Sequence, residues 1–433
     1  MGENALISAG GEPGPAGQMP YFFLSYARTP KRDQADRDDP DRWVYKLYQD
    51  LRAAILQMTS ASPEEAGFMD RENRLGVEWS PELTSALATC RVFVPLYSRR
   101  YFESDNCGKE WFAFARRGVN QNARGLPAVN AIVPALWAKL DQDRLPDVAR
   151  SIQYHHADLG PRYSAEGFYG IMKLQQYRSD YQRAVHRLAQ RIVDVADETA
   201  LHAEQPADYQ SLPSAFGPAS IKQTATDQLQ ITVLAHDTST LPEGRADDYY
   251  GSSPHTWSPY SPDYPQPLAD YAMELAKKCL GCQPFVAPFE YGPAGSAGNG
   301  RLVPPGLCLV DAWVTVSPEH QQRLRYLDGL DQTWVSVLVP WNSQDAEMAK
   351  AQQVLRDALG KSLGNRLASV PHQCRMAATG IPTLQEFGQL LPQMTMIMLK
   401  RFRQSAPAYP PAGPQLERPR LRMADSDDTG GAR

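Results

Sequence analysis

Short apolar runs alternate with longer amphipathic segments along the N-terminal part of the chain, and this alternation constrains the fold most strongly. YFFLSYA (residues 21–27) and CRVFVPLYS (residues 90–98) have the length and composition of buried strands. The segment between them repeats apolar side chains on one helical stripe, at Trp43, Leu47, Leu51 and Ile55. The pattern continues to residue 199 as β-α-β-α-β-α-β-α. Because parallel strands need a crossover, usually a helix, it predicts an α/β fold with a parallel sheet and helices on both faces.

The C-terminal part of the chain shows a second series of the same kind. LQITVLAH (229–236), GLCLVDAWVTV (306–316) and WVSVLVPW (334–341) resemble strands, and helical patterns separate them. We therefore expect a second doubly wound α/β domain. RVFVPLYS and NAIVPALW in the first series match LCLVDAWV and VSVLVPW in the second. Either a degenerate copy of the first domain or the general likeness of doubly wound domains explains this faint repeat.

Length and composition divide the chain into five segments. A chain of 433 residues is too long for one ordinary core, so two domains are expected. Residues 1–19 are rich in Gly, Pro and Ala and are predicted to be disordered. We place the first domain at residues 20–200, a polar linker at 201–227 and the second domain at 228–403. Residues 404–433 are Pro-rich and charged and are predicted to form a disordered tail.

Charge and hydropathy argue against several classes of partner. The net charge is -5, from 44 Lys and Arg against 49 Asp and Glu, so there is no general attraction to nucleic acid or an anionic membrane. No apolar run has the length of a membrane span, and residues 1–20 lack the basic start and apolar core of a secretory signal. We expect a cytoplasmic protein with neither nucleic-acid nor membrane partners.

Cys279 and Cys282 form a C-x-x-C pair, which suits a redox centre or half of a metal site. Neither a second C-x-x-C nor a His pair with zinc spacing accompanies it. The pair closes an apolar helix pattern, so we interpret both cysteines as small residues at a helix end. The sequence predicts no metal site.

Three polar segments follow strands of the first predicted sheet: Ser25–Arg28, Asp70–Gly76 and Tyr97–Asn106. The carboxyl ends of parallel strands meet at one edge of the sheet, and ligands of open α/β sheets bind there. The segment SDNCGKEW (104–111) begins a helix at the same edge. Its Glu110 is therefore a candidate for chemistry.

Four motifs in order resemble the landmarks of a TIR domain, over about residues 20–197. They are the opening strand YFFLSYAR, the loop after the second strand in FMDRENRLG, the strand TCRVFVPLYS, and N-C-x-x-E in SDNCGKEW. The resemblance implies a flavodoxin-like parallel sheet. Together with the second α/β domain, it also makes the chain similar to bacterial TIR-like proteins that accompany FxSxx-COOH peptide-maturation systems.

The resemblance implies two kinds of function. TIR domains self-associate in signalling, and many also cleave NAD at the nicotinamide–ribose bond, so NAD is a candidate substrate and no cofactor is expected. Nicotinamide leaves as a neutral molecule and needs no proton, so one carboxylate that stabilises the oxocarbenium-like transition state is sufficient. The match at N-C-x-x-E assigns this role to Glu110. The alternative is a non-catalytic adaptor that assembles through its TIR surfaces.

Helical periodicity places Glu110 at the border between core and solvent, and Arg116 on the solvent side of the same helix. Tyr26 and Arg28 close the first strand and are candidates for contacts to a ribose or phosphate. The alternative, which the sequence favours slightly, is strand-end packing for Tyr26 and a solvated side chain for Arg28. Many active relatives carry a basic residue directly after the Tyr, where this chain has Ala27.

Asp70, Glu72 and Arg74 belong to the loop after the second strand, where they gate the site, form an assembly contact or are simply solvated. In the second domain the matching helix carries Glu319 without C-x-x-E, so we expect no catalysis there. The aromatic- and Pro-rich insert at 247–265 is either a contact surface, for the first domain or for a peptide or protein partner, or a loop packed on its own domain.

Overall fold

We describe the protein from a computed structural model. The structure describes residues 19–30, 39–70, 81–141, 145–150, 152, 157–216, 228–289, 304–330, 332–369 and 380–405. The predicted disordered segments at the two termini lie almost wholly outside the described residues, as do Glu72 and Arg74.

The N-terminal half contains a parallel sheet of β1 (Phe22–Ser25), β2 (Val92–Tyr97) and β3 (Ala135–Leu136). β1 pairs with β2, and β2 pairs with β3. The predicted second strand is reduced to one parallel bridge between Phe68 and Phe23, on the edge of β1 away from β2. The spatial order is therefore the Phe68 segment, β1, β2 and β3, as in flavodoxin-like sheets.

Helices cover both faces of this sheet. They are α1 (Arg42–Met58), α2 (Pro81–Thr89), α3 (Arg99–Glu103), α4 (Asp105–Ala123), α5 (Asp147–Arg150), α6 (Pro161–Lys173) and α7 (Arg178–Glu198). Phe22 packs against Tyr48 of α1 with ring centroids 5.9 Å apart, whereas Phe93 lies 5.2 Å from Phe114 of α4. Phe23 stacks on Phe93, and neighbouring strand residues point to opposite faces, so α1 and α4 lie on opposite faces. The predicted α/β architecture is confirmed.

The C-terminal half contains a four-stranded parallel sheet of β4 (Gln228–Leu234), β5 (Gln283–Ala287), β6 (Gly306–Val310) and β7 (Val335–Leu338). Its helices are α8 (Leu268–Leu280), α9 (Pro318–Gly329), α10 (Ala346–Ser362), α11 (Gly364–Ser369) and α12 (Leu384–Ser405). The spatial order is β5-β4-β6-β7, so each half places its first strand between its second and third. Both explanations of the internal repeat accommodate this agreement. Within the described ranges, no helix has the length and apolar character needed to cross a membrane.

One hydrophobic core continues from the N-terminal half into the C-terminal half. Helix α4 packs against α8, where Tyr271 Oη donates to Asn120 Oδ1 at 2.8 Å and Asn122 Nδ2 donates to Glu274 Oε2 at 2.7 Å. Helix α4 is therefore covered by the first sheet on one side and by α8 on another.

The C-x-x-C pair lies at the end of α8. Cys279 and Cys282 are buried and form no disulfide within the described ranges, and burial raises the pKa of the Cys279 thiol to about 12. The helix ends at Gly281, whose φ of 66° suits glycine. These features agree with two small residues at a helix end. The described ranges hold no group of three or more His, Cys, Asp and Glu that could bind a metal ion.

Candidate active site at the carboxyl edge of the first sheet

Glu110 lies against the carboxyl end of β1. Helix α4 begins at this edge, where the N-cap Ser104 accepts a hydrogen bond from the Cys107 amide at 3.3 Å. Ser25, the last residue of β1, donates from Oγ to Glu110 Oε2 at 2.5 Å, and Ser25 Oγ also lies 2.9 Å from Tyr101 Oη. The predicted catalytic residue is thus hydrogen-bonded to Ser25, which the sequence placed at this edge without assigning it a part in the site.

Glu110 is buried, with 7% of its surface exposed, and the expectation that it lies at the border with solvent is wrong. The expectation of a solvated Arg116 is wrong as well, because Arg116 is 4% exposed and its guanidinium lies 5.9 Å from the Phe112 ring. Both errors have one cause. Helical periodicity finds a single apolar stripe, whereas α4 is covered on several sides and has almost no solvent face.

Burial raises the pKa of the Glu110 carboxyl from its ordinary 4.5 to about 8. The hydrogen bond from Ser25 opposes this effect in part, because it stabilises the ionised form. The charge of Asp70 raises the pKa further and that of Arg28 lowers it. At neutral pH this buried carboxyl is therefore mostly protonated.

Three further predicted residues come together beside Glu110. Arg28 Nη2 lies 3.1 Å from Asp70 Oδ2 and donates to the Asp70 carbonyl at 3.3 Å. Tyr26 Oη donates to the same carbonyl at 3.3 Å. The contacts join the ends of β1 and the Phe68 segment, as the parallel arrangement predicts. The fourth residue, Arg74, lies outside the described residues.

Residues 201–216, which we call the strap, run along α4 and end over its start. Tyr209 Oη donates to the Asn106 carbonyl at 2.6 Å, and the Ala215 amide donates to the Gly108 carbonyl at 3.0 Å. A Cβ added at Gly108 would lie 1.9 Å from the Ser214 hydroxyl. The strap therefore sits directly on the helix backbone, with no room for a side chain at position 108.

The strap ends in an aromatic contact. The Phe216 ring lies 5.5 Å from Tyr101, 5.1 Å from Phe102 and 5.7 Å from Trp111, measured between centroids. Tyr101 touches Ser25, so this cluster adjoins the bonding network of Glu110. Composition led us to predict a linker at 201–227. The apolar residues Leu201, Tyr209, Leu212 and Phe216 are the signal for a packed segment.

At the equivalent edge of the second sheet, buried side chains of the protein contact one another and occupy the space. Arg245 Nη1 lies 2.6 Å from Asp345 Oδ2, and Tyr250 Oη donates to Asp311 Oδ2 at 2.8 Å, at the end of β6. Glu319 is exposed on α9 and pairs with Arg323 at 2.7 Å.

The insert at 247–265 packs on its own half. Tyr250, Trp257 and Tyr260 are buried, and Tyr260 Oη donates to the Ile381 carbonyl at 2.9 Å. These contacts agree with a packed loop. The insert also touches the N-terminal half, because the Arg124 guanidinium lies 5.7 Å from the Tyr264 ring.

Comparison with known proteins agrees with this geometry. Residues 22–169 match the family model of the TIR domain. The chain therefore contains a TIR domain, and the resemblance of its four motifs is confirmed at this level. A comparison with curated proteins gives no match.

Proposed function

We propose that this protein is a TIR-domain effector that cleaves NAD at the nicotinamide–ribose bond with Glu110 as the catalytic carboxylate. The TIR domain itself supports a function in signal transduction and protein interaction. The single observation that carries the finer proposal is the position of Glu110. Its carboxyl lies at the carboxyl edge of the sheet, hydrogen-bonded to Ser25 at 2.5 Å and beside Arg28, Tyr26 and Asp70.

The reaction requires little of the protein beyond one negative charge. As the bond to nicotinamide breaks, its electrons leave with nicotinamide and positive charge grows on the ribose, where an ionised Glu110 stabilises it. Water or a hydroxyl of the substrate then adds to the ribose carbon and releases its proton to solvent. Arg28 suits the NAD phosphates, because a guanidinium binds phosphate oxygens with two parallel hydrogen bonds. Arg28 is exposed in its ion pair with Asp70, and exposed ion pairs are weak. Replacing Asp70 by a phosphate as the partner of Arg28 therefore costs little free energy.

Strap displacement is part of the proposal. With the strap in place Glu110 is 7% exposed, and its pKa of about 8 keeps it protonated at neutral pH. Withdrawal of the strap would admit water and substrate and return the carboxyl to its charged form, because desolvation is the main cause of the raised pKa. We therefore propose a protein that is inactive at rest and is activated by assembly or by a partner.

The test follows nicotinamide release from NAD by chromatography. We expect Phe216→Ala to raise the rate above wild type, because it removes the aromatic contact that holds the strap. Glu110→Gln should abolish release in both backgrounds. Phe285→Ala, which truncates a half-exposed ring on β5, is the matched control and should leave the rate unchanged. Absence of release from wild type and Phe216→Ala, at high concentration or with a crowding agent, would refute the enzymatic proposal.

A non-catalytic adaptor is the second candidate, and the closure of the site favours it. It predicts concentration-dependent self-association, measured by analytical ultracentrifugation, that Glu110→Gln leaves unchanged. We also propose a cytoplasmic location, which the five buried cysteines of the described ranges, none of them in a disulfide there, support. An association with peptide maturation rests on the sequence resemblance.

A further inference from the structure

A cavity of about 640 Å³ lies between the two halves of the protein, away from the carboxyl edge that holds Glu110. One wall is a stripe of α4 at positions Trp111, Phe114, Ala115 and Gly118. The opposite wall is a stripe of α8 at positions Glu274, Lys277, Lys278 and Gly281. Both stripes follow the i, i+3, i+4, i+7 spacing of one helix face. Ala115 and Gly118 on α4 and Gly281 at the end of α8 are small, and larger side chains at these positions would fill the space between the two helices.

The lining separates into an apolar interior and a charged exterior. Buried apolar side chains from the chain before β3 and from α5 complete the interior, among them Ala131 and Val148. The basic side chains of the lining, Arg150, Lys277 and Lys278, are exposed and therefore lie where the cavity meets solvent. A cavity of this size with a mainly apolar lining and charged groups at its opening has the form of a small-molecule site.

The charged side chains at the opening favour a ligand with a negative charge. Arg150 pairs with Asp147 at 2.7 Å, and Lys278 pairs with Glu274 at 2.5 Å. Lys277 forms no ion pair within the described residues, so one positive charge is left over. A ligand with an apolar body and a single anionic group complements this lining.

We propose that the cavity between α4 and α8 binds a small amphipathic anion, such as an aliphatic or aromatic carboxylate or sulfonate. The apolar body lies against Phe114 and Ala115, and the acidic group faces Lys277. This site is distinct from the NAD chemistry proposed above, since neither Glu110 nor the residues beside it, Ser25, Tyr26, Arg28 and Asp70, line the cavity. Leu201, the first residue of the strap, contributes to its wall.

The test uses 8-anilinonaphthalene-1-sulfonate, an aromatic body with one sulfonate, titrated against the full chain and followed by its fluorescence. We expect saturable binding at one site, displaced by dodecanoate and not by dodecyltrimethylammonium. Lys277→Glu should weaken binding about five- to tenfold, because an exposed ion pair contributes up to about a factor of five and reversal adds repulsion. Lys350→Glu, which reverses an exposed lysine on α10, is the matched control and should have no effect.

A second variant tests the position of the apolar body. Ala115→Trp places a large ring in the middle of the α4 wall and should weaken binding more than tenfold, with far-UV circular dichroism unchanged. Non-saturable binding, or equal affinities for wild type and Lys277→Glu, would overturn the proposal. Equal displacement by the cationic and anionic amphiphiles would overturn the assignment of ligand charge.

Discussion

Replacing Glu110 with Gln should change how stability depends on pH, because the two side chains have the same shape and only the carboxyl titrates. A carboxyl whose pKa is raised from 4.5 unfolded to about 8 folded resists ionisation in the folded protein. The associated stability is fully present below about pH 4.5 and is lost as the pH rises through about 8. Glu110→Gln has no such loss.

The magnitude follows from the two pKa values. Each pKa unit corresponds to about 1.4 kcal/mol, so wild type loses roughly 3 kcal/mol of unfolding free energy between pH 4.5 and pH 7 through this group. Glu110→Gln should therefore gain roughly 3 kcal/mol relative to wild type over that range, and little more above about pH 8.5. Every other titrating group is common to both proteins and cancels in the difference.

Urea unfolding of both proteins at pH 5, 6, 7 and 8.5, followed by tryptophan fluorescence, measures this difference. Glu319→Gln removes an exposed carboxylate on α9 and serves as the control for loss of charge without burial. A difference between Glu110→Gln and wild type that stays constant with pH would show that the carboxyl is not desolvated as the structure places it.

Two further predictions concern the strap and the second sheet. Gly108→Ala should loosen the strap, because the added Cβ collides with the Ser214 hydroxyl, and limited proteolysis should then cut residues 201–227 faster. Combination with Ser214→Gly should restore protection, and protection unchanged by Gly108→Ala would contradict the contact. Asp345→Ala should destabilise the protein by about 3–5 kcal/mol, because it leaves the buried Arg245 without its closest partner. Glu347→Ala removes the more exposed partner of the same guanidinium and should cost under about 1 kcal/mol in the same unfolding assay, so equal losses would refute the difference in burial.

The sheets could be predicted because their strands are buried on both faces and appear as unbroken apolar runs. All six residues of β2 are buried, and so are all five of β6. The strand predicted at VNAIVPALW is shorter than expected, since only Ala135–Leu136 pairs continuously with β2. Pro134 directly precedes that pair and has no amide to donate, which accounts in part for the late start.

The sequence predicted which residues meet at the site better than it predicted how deeply they are buried. Tyr26, Arg28 and Asp70 meet because strand ends of a parallel sheet converge, which is a property of topology and can be inferred from the order of elements. Glu110 and Arg116 are buried among residues that are distant in sequence. Tyr209 of the strap lies near both side chains, and Tyr271 of α8 lies near Arg116. Periodicity within one helix carries no information on such neighbours.

The strap also limits the reach of the chain between the two halves. Its contacts fix residues 201–216 on α4, so only residues 217–227 remain to span the distance to β4. At about 3.5 Å per extended residue, this connection reaches at most about 40 Å, whereas residues 199–227 together would reach about 100 Å. A partner that draws the halves apart beyond about 40 Å can do so only by detaching the strap. In the proposed mechanism, separation of the halves and exposure of Glu110 are therefore linked by the length of one peptide segment.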